Sequence, residues 1–508
     1  MLLQVEGVQN YVLEHAADMA TRKLGTKVEF RRLNIGFFDR VIVEGFYVED
    51  YEQDTLIYAS RAEVSVARLL LSQGVSFSSA RLSDAKFFLK ESPRGVMNIK
   101  EVVDNMRPKE RKKRENPFTL SFSKLTIEGL EFRLIRNVDR YRGYGINWSN
   151  MQLKNLWGAL RDFTIQGPIL TGYIDGLSGY ELSGFKLDDL SGEMRISSGG
   201  VELQQVTIAT PLSHVNLQAV ELKGRDWSTY KYYIDSVQMR VVARNSSLHS
   251  DDVAYFAPSL KDWHLSADNI DLGVDGTVDS LKGRIWSLTT GHSTKLRGDI
   301  AMMGLPDAKR THFDIKVHSL KTNSGDASEL TRVILRKELG VGVKRLLSRL
   351  GTTELSGRFR GKLSNFESSV VALTALGGVD AKAEMSRGSN GRNSLTANLT
   401  SHNFNVGDFV GVKDLSGVDL RVATSGEISK EEGAELTASG DISTLIFRGV
   451  EYHNMPFRAI VDGKYSRLRL SADEPILGFK LTADADLNSE PKYTFDLNVE
   501  RADLKAMA

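Results

Sequence analysis

Cysteine is absent from this chain of 508 residues, which excludes disulfides, thiolate metal sites and cysteine nucleophiles. Proline is scarce, at 10 residues, so little interrupts the backbone pairing of strands. Neither sign of charge is in excess, because 66 Lys and Arg residues stand against 65 Asp and Glu residues. Such a chain has no basic field that would favour nucleic acid as a partner. It also contains no apolar run of about 18 residues, so no segment is expected to cross a bilayer as a helix.

The dominant feature that is present is an alternation of apolar and polar residues with period two. Segments such as RAEVSVARL, RLRLSA and YTFDLNVE carry it, and Gly, Asp, Asn and Ser punctuate them. This alternation is typical of half-buried strands that are joined by tight turns. It predicts a mostly β fold, with strands and turns over roughly three-quarters of the chain.

Two segments depart from this pattern and predict helices. Residues 1–25 carry apolar side chains at helical spacing and end at a glycine, which indicates an N-terminal amphipathic helix. Residues 326–350 predict a second amphipathic helix, in which Asp326 and Glu329 have the spacing of a capping box. Two glycines near its middle are expected to weaken or bend it.

The rest of the chain divides into two long strand-rich stretches, residues 26–325 and 351–508. The first contains a charged segment, RPKERKKREN, at 107–116. Its basic side chains indicate either a solvated linker or a contact with anionic lipid headgroups. The basic residues of 326–350 could likewise contact lipid headgroups. Alternatively, the leucines of this helix cover an open end or edge of the sheet and its charges face water.

The segment LTIEGLEF contains a strand whose alternation shifts by one position in the middle. Leu125 and Ile127 alternate with polar neighbours, a Glu-Gly pair follows, and the alternation resumes at Leu130 and Phe132. In a flat strand the two apolar pairs would lie on opposite faces. A bend at the intervening pair would turn both toward one interior, since glycine accepts the positive φ that a bulge requires.

The same spacing recurs along the chain, and glycine is second in four of the six intervening pairs, which favours bends at these points. We predict that the apolar members line a groove, with an ordinary filled core as the alternative. The strict matches are Leu125, Ile127, Leu130 and Phe132; Tyr180, Leu182, Phe185 and Leu187; Val201, Leu203, Val206 and Ile208; and Val215, Leu217, Val220 and Leu222. The looser matches are Val41, Val43, Phe46 and Val48, and Leu445, Phe447, Val450 and Tyr452.

Many bent strands side by side would form a long trough, apolar inside and polar outside. A filled β-solenoid would use similar corners, but its repeats have a regular period and the matches here have none. Sandwich domains also contain alternating strands, yet no Gly/Ser/Pro-rich linker divides this chain into units of that size. We therefore expect a curled antiparallel sheet with an open hydrophobic groove, an N-terminal helix and one amphipathic helix.

No constellation of residues indicates catalysis or a cofactor. His312 and His318 occupy strand positions without the clustered carboxylates that would complete a metal site. Asp268, Asp271 and Asp275 do not match a calcium-binding loop and are typical of turns. The sequence has no nucleophile elbow, phosphate loop or catalytic carboxylate pair. We expect a protein that is not an enzyme and that needs no metal or cofactor.

Several phrases of the sequence resemble a known family. They are VQNYVLEHAADMATRKLGTKVEF, VIVEGFYVEDYEQDTLIYASRAEVSV, GVMNI, GINWSNMQLKNL, SDDVAYFAPSL and LGTTELSGRFRGKLSNF. Together they are similar to the N-terminal and middle portion of bacterial TamB proteins, in the AsmA-like superfamily. The resemblance covers most of the chain, in short degenerate phrases without a catalytic signature.

This resemblance implies an elongated β-taco with a greasy groove, similar to the bridge-like lipid transfer proteins of eukaryotes. It implies an inner-membrane anchor, a periplasmic location in a double-membraned bacterium, and movement of phospholipid toward the outer membrane with its acyl chains in the groove. It also implies a barrel-type outer-membrane assembly protein as partner. Two family features are missing from the sequence: the membrane helix that would precede QVEGVQNYV, and the C-terminal TamB domain.

Two other functions remain open from the sequence. The first is a scaffold or chaperone for outer-membrane β-barrel proteins, which would hold unfolded clients at strand edges by β-augmentation. The second is a filled β-solenoid that acts on polysaccharide, which would require a row of carboxylates along one face. The sequence shows no such row.

Overall fold

A computed structural model describes residues 14–503 except 16, 23, 36–39, 71–73, 107–118, 138–140, 142, 306, 308, 336–337, 339, 389–391, 430–432 and 487–491. The chain divides into two units, Met1–Asp271 and Leu272–Ala508, here called unit 1 and unit 2. Strands dominate both units, which confirms the mostly β fold expected from the alternation. The predicted charged segment at 107–116 lies outside the described residues.

Unit 1 contains thirteen strands and four short α-helices among its described residues. The strands are β1 (Val28–Glu29), β2 (Arg32–Ile35), β3 (Arg40–Glu49), β4 (Thr55–Leu70), β5 (Gly74–Lys90), β6 (Thr119–Ile135), β7 (Asn150–Gln166), β8 (Ile169–Glu181), β9 (Lys186–Leu187), β10 (Asp189–Ser197), β11 (Gly200–Ala209), β12 (His214–Lys223) and β13 (Gln238–His249). The helices are α1 (within 14–24), α2 (Asn98–Met106), α3 (Tyr233–Ser236) and α4 (Ser250–Ala254), with 3-10 turns at Trp227–Tyr232 and Pro258–Leu260.

Most strands of unit 1 pair with the next strand in sequence, and the short β1 and β9 are exceptions because β1 pairs with β3 and β8 also pairs with β10. One pair of neighbours departs from the expected antiparallel sheet. Strands β5 and β6 run parallel, with Gly74 opposite Thr119. Their connection contains α2 and is long enough to carry the chain back to the end where β5 began, as parallel pairing requires. The other pairs of neighbouring strands in the described part of this unit are antiparallel.

A compact core lies where the first helices of unit 1 meet its first strands. Val28, Val48, Leu56 and Val102 are buried together there, and Ala20 of α1 packs against them. The predicted N-terminal helix is thus present at its described positions between 14 and 24, with its apolar side against the sheet. Residues 1–13 of that prediction lie outside the described part of the chain.

A further strand, β14 (Ser266–Gly276), runs across the boundary between the units. Unit 2 adds three α-helices, which are α5 (Ser324–Leu335), α6 (Val341–Arg349) and α7 (Val406–Val410). Its strands are β15 (Ser280–Thr290), β16 (Thr294–Met303), β17 (His312–Thr322), β18 (Thr353–Lys362), β19 (Asn365–Thr374), β20 (Gly377–Arg387), β21 (Asn393–His402), β22 (Phe404–Asn405), β23 (Leu415–Ser429), β24 (Gly433–Phe447), β25 (Val450–Asp462), β26 (Tyr465–Asp473), β27 (Leu477–Asp486) and β28 (Lys492–Ala502).

The strands of unit 2 form an antiparallel meander. From β15 to β28 each long strand pairs with the next long strand, and the two-residue β22 pairs with β23 beside α7. The registers from β18 to β21 contain no shift, because tight turns connect strands of nearly equal length. No pairing closes the described strands of this unit into a barrel, so its sheet is open.

The prediction of one helix over 326–350 is wrong, because the structure has two helices there. Helix α5 ends at Leu335, and α6 begins after Gly340, where glycine disfavours a continuous helix. The expected capping box is also replaced. Asn323 Oδ1 accepts a hydrogen bond from Asp326 N at 2.9 Å, so Asn323 rather than Asp326 caps the N-terminus of α5.

The carboxylate of Asp326 is instead buried against the turn between β15 and β16. It accepts backbone hydrogen bonds from His292 at 3.0 Å, Ser293 at 2.9 Å and Thr294 at 3.1 Å. The Thr294 hydroxyl donates to it as well, at 3.0 Å. These donors hold the pKa of Asp326 well below its usual value, against the opposing effect of burial.

Candidate functional site

Ten strands of unit 2 place two continuous rows of uncharged side chains on one face of the sheet. These rows, here called the apolar rows, follow from the paired registers of β18, β19, β20, β21 and β23 to β28, because alternate residues share a face. One row is Phe359, Ser368, Ala383, Ala397, Thr424, Ala438, Ala459, Leu468, Ala483 and Phe495. The other is Gly357, Val370, Ala381, Leu399, Val422, Gly440, Phe457, Leu470, Leu481 and Leu497.

The row between them, which points to the opposite face, has a different composition. This polar row is Arg358, Ser369, Lys382, Asn398, Ala423, Ser439, Arg458, Arg469, Thr482 and Asp496. Arg358 of this row donates to both carboxylate oxygens of Asp314, at 2.8 and 2.6 Å. That pairing lowers the pKa of Asp314. Each strand therefore sorts its charges to one side.

The apolar rows remain partly open to solvent. Val370 is 39% exposed, Leu399 is 37% exposed and Leu468 is 36% exposed. At about 4.8 Å for each strand, ten strands make a surface about 43 Å long across the sheet. By alternation along β20, the charged side chain of Arg387 falls on the same face as the apolar rows, at the end of that strand. Contiguous apolar surface of this kind marks a binding face, because isolated soluble domains rarely expose it.

In unit 1 a line of bends crosses neighbouring strands at the positions that the sequence indicated. Gly45 in β3 has φ +64° and Gly129 in β6 has φ +72°. Asp84 in β5, which lies beside Gly129 in the parallel register, has φ +45°. The Ser60 hydroxyl in β4 donates to the carbonyl of Ser83 at 2.8 Å across the same line. A residue with positive φ bends the strand at one extra residue, so that the side chains after the bend point to the same face as those before it.

The two predicted segments of β11 and β12 pair with each other residue by residue. Val201 lies opposite Leu222, and Leu203 lies opposite Val220. Beyond the bend, Val206 lies opposite Leu217 and Ile208 lies opposite Val215. Gln205 takes the positive φ, +49°, where the sequence has no glycine. Seven of these eight side chains are half-buried, whereas Val206 is fully buried.

The predicted residues of β3 and β6 divide between half-buried surface and filled core. Val41 and Val43 are half-buried, whereas Phe46 and Val48 pack into the core beneath the first helices of unit 1. The four predicted residues of β6 are all half-buried: Leu125, Ile127, Leu130 and Phe132. Two of them continue apolar lines across the sheet, since Ile127 lies beside Leu82 and Phe132 lies beside Phe87.

Two of the six matches are hairpin turns and not bent strands. At 180–187 the strand β8 ends at Glu181, and β9 returns after a turn in which Glu181 N donates to Phe185 O at 2.8 Å. Tyr180 and Leu182 are exposed there. Phe185 packs on the aromatic rings that follow α4, and Leu187 pairs with Gly179. The pattern misled because the residues of a short turn separate two apolar pairs just as the extra residues of a bend do.

The second hairpin joins β24 to β25. Arg448 and Gly449 both have positive φ, +49° and +79°, as a tight hairpin turn requires. The predicted residues Leu445, Phe447 and Val450 face one another across it and belong to a filled core around Tyr452, Met455 and Ala472. At this turn the side chains of the protein itself occupy the interior.

Substituting Gly129 tests whether the bend is needed. Gly129→Ala is expected to lower the free energy of unfolding by about 1–2 kcal/mol, because alanine disfavours the left-handed region. Gly342→Ala in α6 is a matched control with the opposite expected sign, since an added methyl group meets nothing within 4 Å and stabilises a helix by about 1 kcal/mol. Urea unfolding measures both. Equal stability of Gly129→Ala and wild type would contradict a left-handed bend.

A partly open apolar cavity lies in unit 2, between the sheet and its helices. Its volume is about 510 Å³, and it is here called the chamber. Strands β18 to β23 form one wall, and α5, α6 and α7 form the other. Eighteen residues line it, none of them charged: Thr322, Asn323, Ser324, Ala327, Leu347, Leu350, Thr353, Leu355, Ala372, Thr374, Val379, Leu399, Ser401, Phe404, Val406, Phe409, Val418 and Leu420.

None of the predicted groove residues lies in the chamber, and none lies in the apolar rows. The spacing of bent strands does not mark β18–β21, because these strands continue without a bend. Large apolar residues do not mark the rows either, since alanine and glycine fill many of their positions. The leucines in 326–350 are the sequence signal for the chamber, because the predicted cover over the sheet forms part of its wall.

Among the described residues, no group of histidine and acidic side chains has the arrangement of a metal site. His318 Nε2 contacts Asp299 at 2.8 Å on the charged face, beside Arg284. No helix in the described ranges has the length and apolar character needed to cross a membrane. Comparisons with family models, curated proteins and solved structures found no match for this chain.

Proposed function

We propose that this protein binds phospholipid along its apolar strand faces and acts as a conduit for it. Acyl chains would lie against the apolar rows, and headgroups would remain in water at the open side. The observation that carries the proposal is the sorting of charge in unit 2, where twenty paired positions hold no charged side chain. The half-open state of those rows supports it, because an occupied core would need no access from solvent.

A surface of this kind suits sliding better than tight binding. Burial of an acyl chain gains about 25 cal/mol for each Å² of apolar surface, wherever along the rows the chain lies. Successive strands offer similar side chains at about 4.8 Å spacing, so a lipid exchanges one set of contacts for an equivalent set. The energy therefore varies little from step to step, and transfer needs no deep site.

The wider setting of this proposal follows from the sequence phrases that resemble TamB proteins. By that likeness the chain would act in the periplasm, held at the inner membrane, and would pass phospholipid toward the outer membrane. A barrel-type assembly protein would be its partner there.

Photo-crosslinking tests the conduit in unit 1. A crosslinker at Ile127 or Leu217 is expected to capture phospholipid in cells, detected by mass spectrometry of the purified adduct. The neighbouring positions Thr126 and Asn216 point to the other face and are matched controls, with at least about tenfold less adduct expected. Ile127→Asp and Leu217→Asp variants should lose transfer. If they carried lipid normally, the groove assignment would be wrong.

The alternative, a scaffold for outer-membrane barrel proteins, predicts a different product from the same experiment. A client held by β-augmentation pairs with backbone groups at a strand edge. Polypeptide adducts at edge positions, with no lipid adduct at Ile127 or Leu217, would favour the scaffold over the conduit.

A further inference from the structure

The chamber of unit 2 differs from the open rows in that side chains bound it on two sides. The sheet forms one side and three helices form the other, and its volume of about 510 Å³ falls in the range of about 300–1,000 Å³ that holds a small ligand. Leu347 of α6, Leu350 directly after that helix and Phe409 of α7 contribute to its helical side. Leu355 and Leu399 form part of its sheet side.

The helical wall is fixed to itself and to the sheet by specific contacts. Arg349 Nη1 at the end of α6 donates to the carbonyl of Phe409 in α7 at 2.8 Å. The rings of Phe404 and Phe409 meet edge to face, with centroids 5.5 Å apart. Asn405 Oδ1 accepts from Asp408 N at 3.0 Å and caps α7. The cavity is therefore preformed rather than a gap between loosely packed helices.

The polar side chains that line the chamber direct their hydrogen bonds into the protein. Ser401 Oγ donates to Val418 O at 3.0 Å and accepts from Leu420 N at 3.1 Å. Thr374 Oγ1 donates to Gly377 O and accepts from Leu376 N. A peptide or sugar placed here would bury polar groups against walls that offer them few partners, at substantial cost.

The chamber also joins the open surface. Leu399 belongs both to the chamber wall and to an apolar row. Leu355 and Ala372, which pair with each other in the wall, lie two residues along their strands from the row positions Gly357 and Val370. An apolar chain on the rows therefore meets the chamber without crossing a charged position.

We propose that the chamber is a retention site that holds one acyl chain of a lipid. This inference rests on the proposed function and deepens it, because it adds one saturable site to a surface on which lipid otherwise slides. The chamber favours a hydrocarbon chain over a peptide, a sugar or a charged metabolite for three reasons. Its walls are uncharged, its polar groups bond within the protein, and it is continuous with the apolar rows.

The test uses cis-parinaric acid, a fatty acid that fluoresces when it enters an apolar site. The whole protein is expected to bind it with a saturable component of about one molecule per chain. Ala372→Trp and Ala327→Trp place an indole in the chamber from the sheet side and the helix side. Each is expected to weaken the saturable component by at least about tenfold. Ala423→Trp in the polar row, on the opposite face of the sheet, is the matched control and should leave that component unchanged.

The outcomes separate this inference from the conduit. Retained saturable binding in both chamber variants, with melting temperatures equal to that of wild type, would overturn the retention site. A wild-type protein that shows no saturable component, but still yields lipid adducts at Ile127, would also overturn it and leave the conduit standing. Saturable binding that the chamber variants abolish, without lipid adducts at Ile127 or Leu217, would support the chamber and count against the conduit.

Discussion

Ala381→Asp is expected to reduce the phospholipid that co-purifies with this protein by at least about tenfold. Ala381 is half-buried in an apolar row, between Val370 and Leu399 on the neighbouring strands. A carboxylate there would lie against acyl chains without a partner, which costs several kcal/mol. A loss of about 1.4 kcal/mol is already enough for a tenfold change. Solvent extraction and quantitative mass spectrometry give the ratio of lipid to protein.

Ala423→Asp provides the matched control for this change. Ala423 is exposed in the polar row, between Asn398 and Ser439, so the same substitution meets water instead of lipid. Its bound lipid is expected to equal that of wild type. Both variants should melt within a few degrees of wild type, since neither position is fully buried. Equal lipid content in the two variants would count against the rows as a binding surface.

Asp326→Asn is expected to destabilise unit 2 by about 3 kcal/mol. The carboxylate is 4% exposed and accepts four hydrogen bonds from the turn at 292–294. Hydrogen bonds to a charged group contribute about 1.5–3 kcal/mol, and an asparagine amide replaces one acceptor oxygen with a donor. For a unit of this size the melting temperature should fall by roughly 6–12 °C, which scanning calorimetry measures.

The same carboxylate predicts an acid-sensitive step in the stability of unit 2. Its pKa is lower in the folded state than the value of about 3.9 expected when unfolded. Its contribution is therefore present in full above the unfolded pKa and is lost as the pH falls below about 4, through the lower folded pKa. The melting temperature of wild type should drop across that interval, and that of Asp326→Asn should drop less.

Glu329→Gln on the same helix is the control for the acid step. Glu329 is exposed and pairs with Arg332, so its contribution to stability is screened by water and stays below about 1 kcal/mol. Glu329→Gln should melt like wild type at neutral pH and keep its acid sensitivity. If Asp326→Asn retained the full acid dependence of wild type, another carboxylate would have to be responsible.

The fold class was predictable because period-two alternation directly reflects the two faces of a strand. Bends were predictable where glycine marks them, as at Gly45 and Gly129. The shifted spacing also marked the bend at Gln205, where the sequence has no glycine. The bend at Asp84 was not predictable, because Asp84 adopts positive φ beside Gly129, where the neighbouring strand bends. That information lies in the pairing of strands and not in the local sequence.

The candidate binding surface was harder to foresee for a different reason. The residues of a short hairpin turn separate two apolar pairs just as those of a bend do, so the pattern at Leu445 and Phe447 selected a turn that closes over a filled core. The apolar rows depend on the register of ten strands, and a single strand such as β20 shows only one alanine between each pair of the charges Asp380, Lys382 and Glu384. Their continuity becomes visible only when the strands are aligned.

The order of strand pairing has a consequence for how the chain assembles. Most strands pair with their immediate sequence neighbour through a short turn, so each new hairpin can dock on the last as synthesis proceeds, at little entropic cost. The parallel pair of β5 and β6 is different, because its partners are 45 residues apart in sequence. Until β6 has been synthesised, the long edge of β5 has no partner in this register, which makes that edge the place where a nascent chain most needs protection from aggregation.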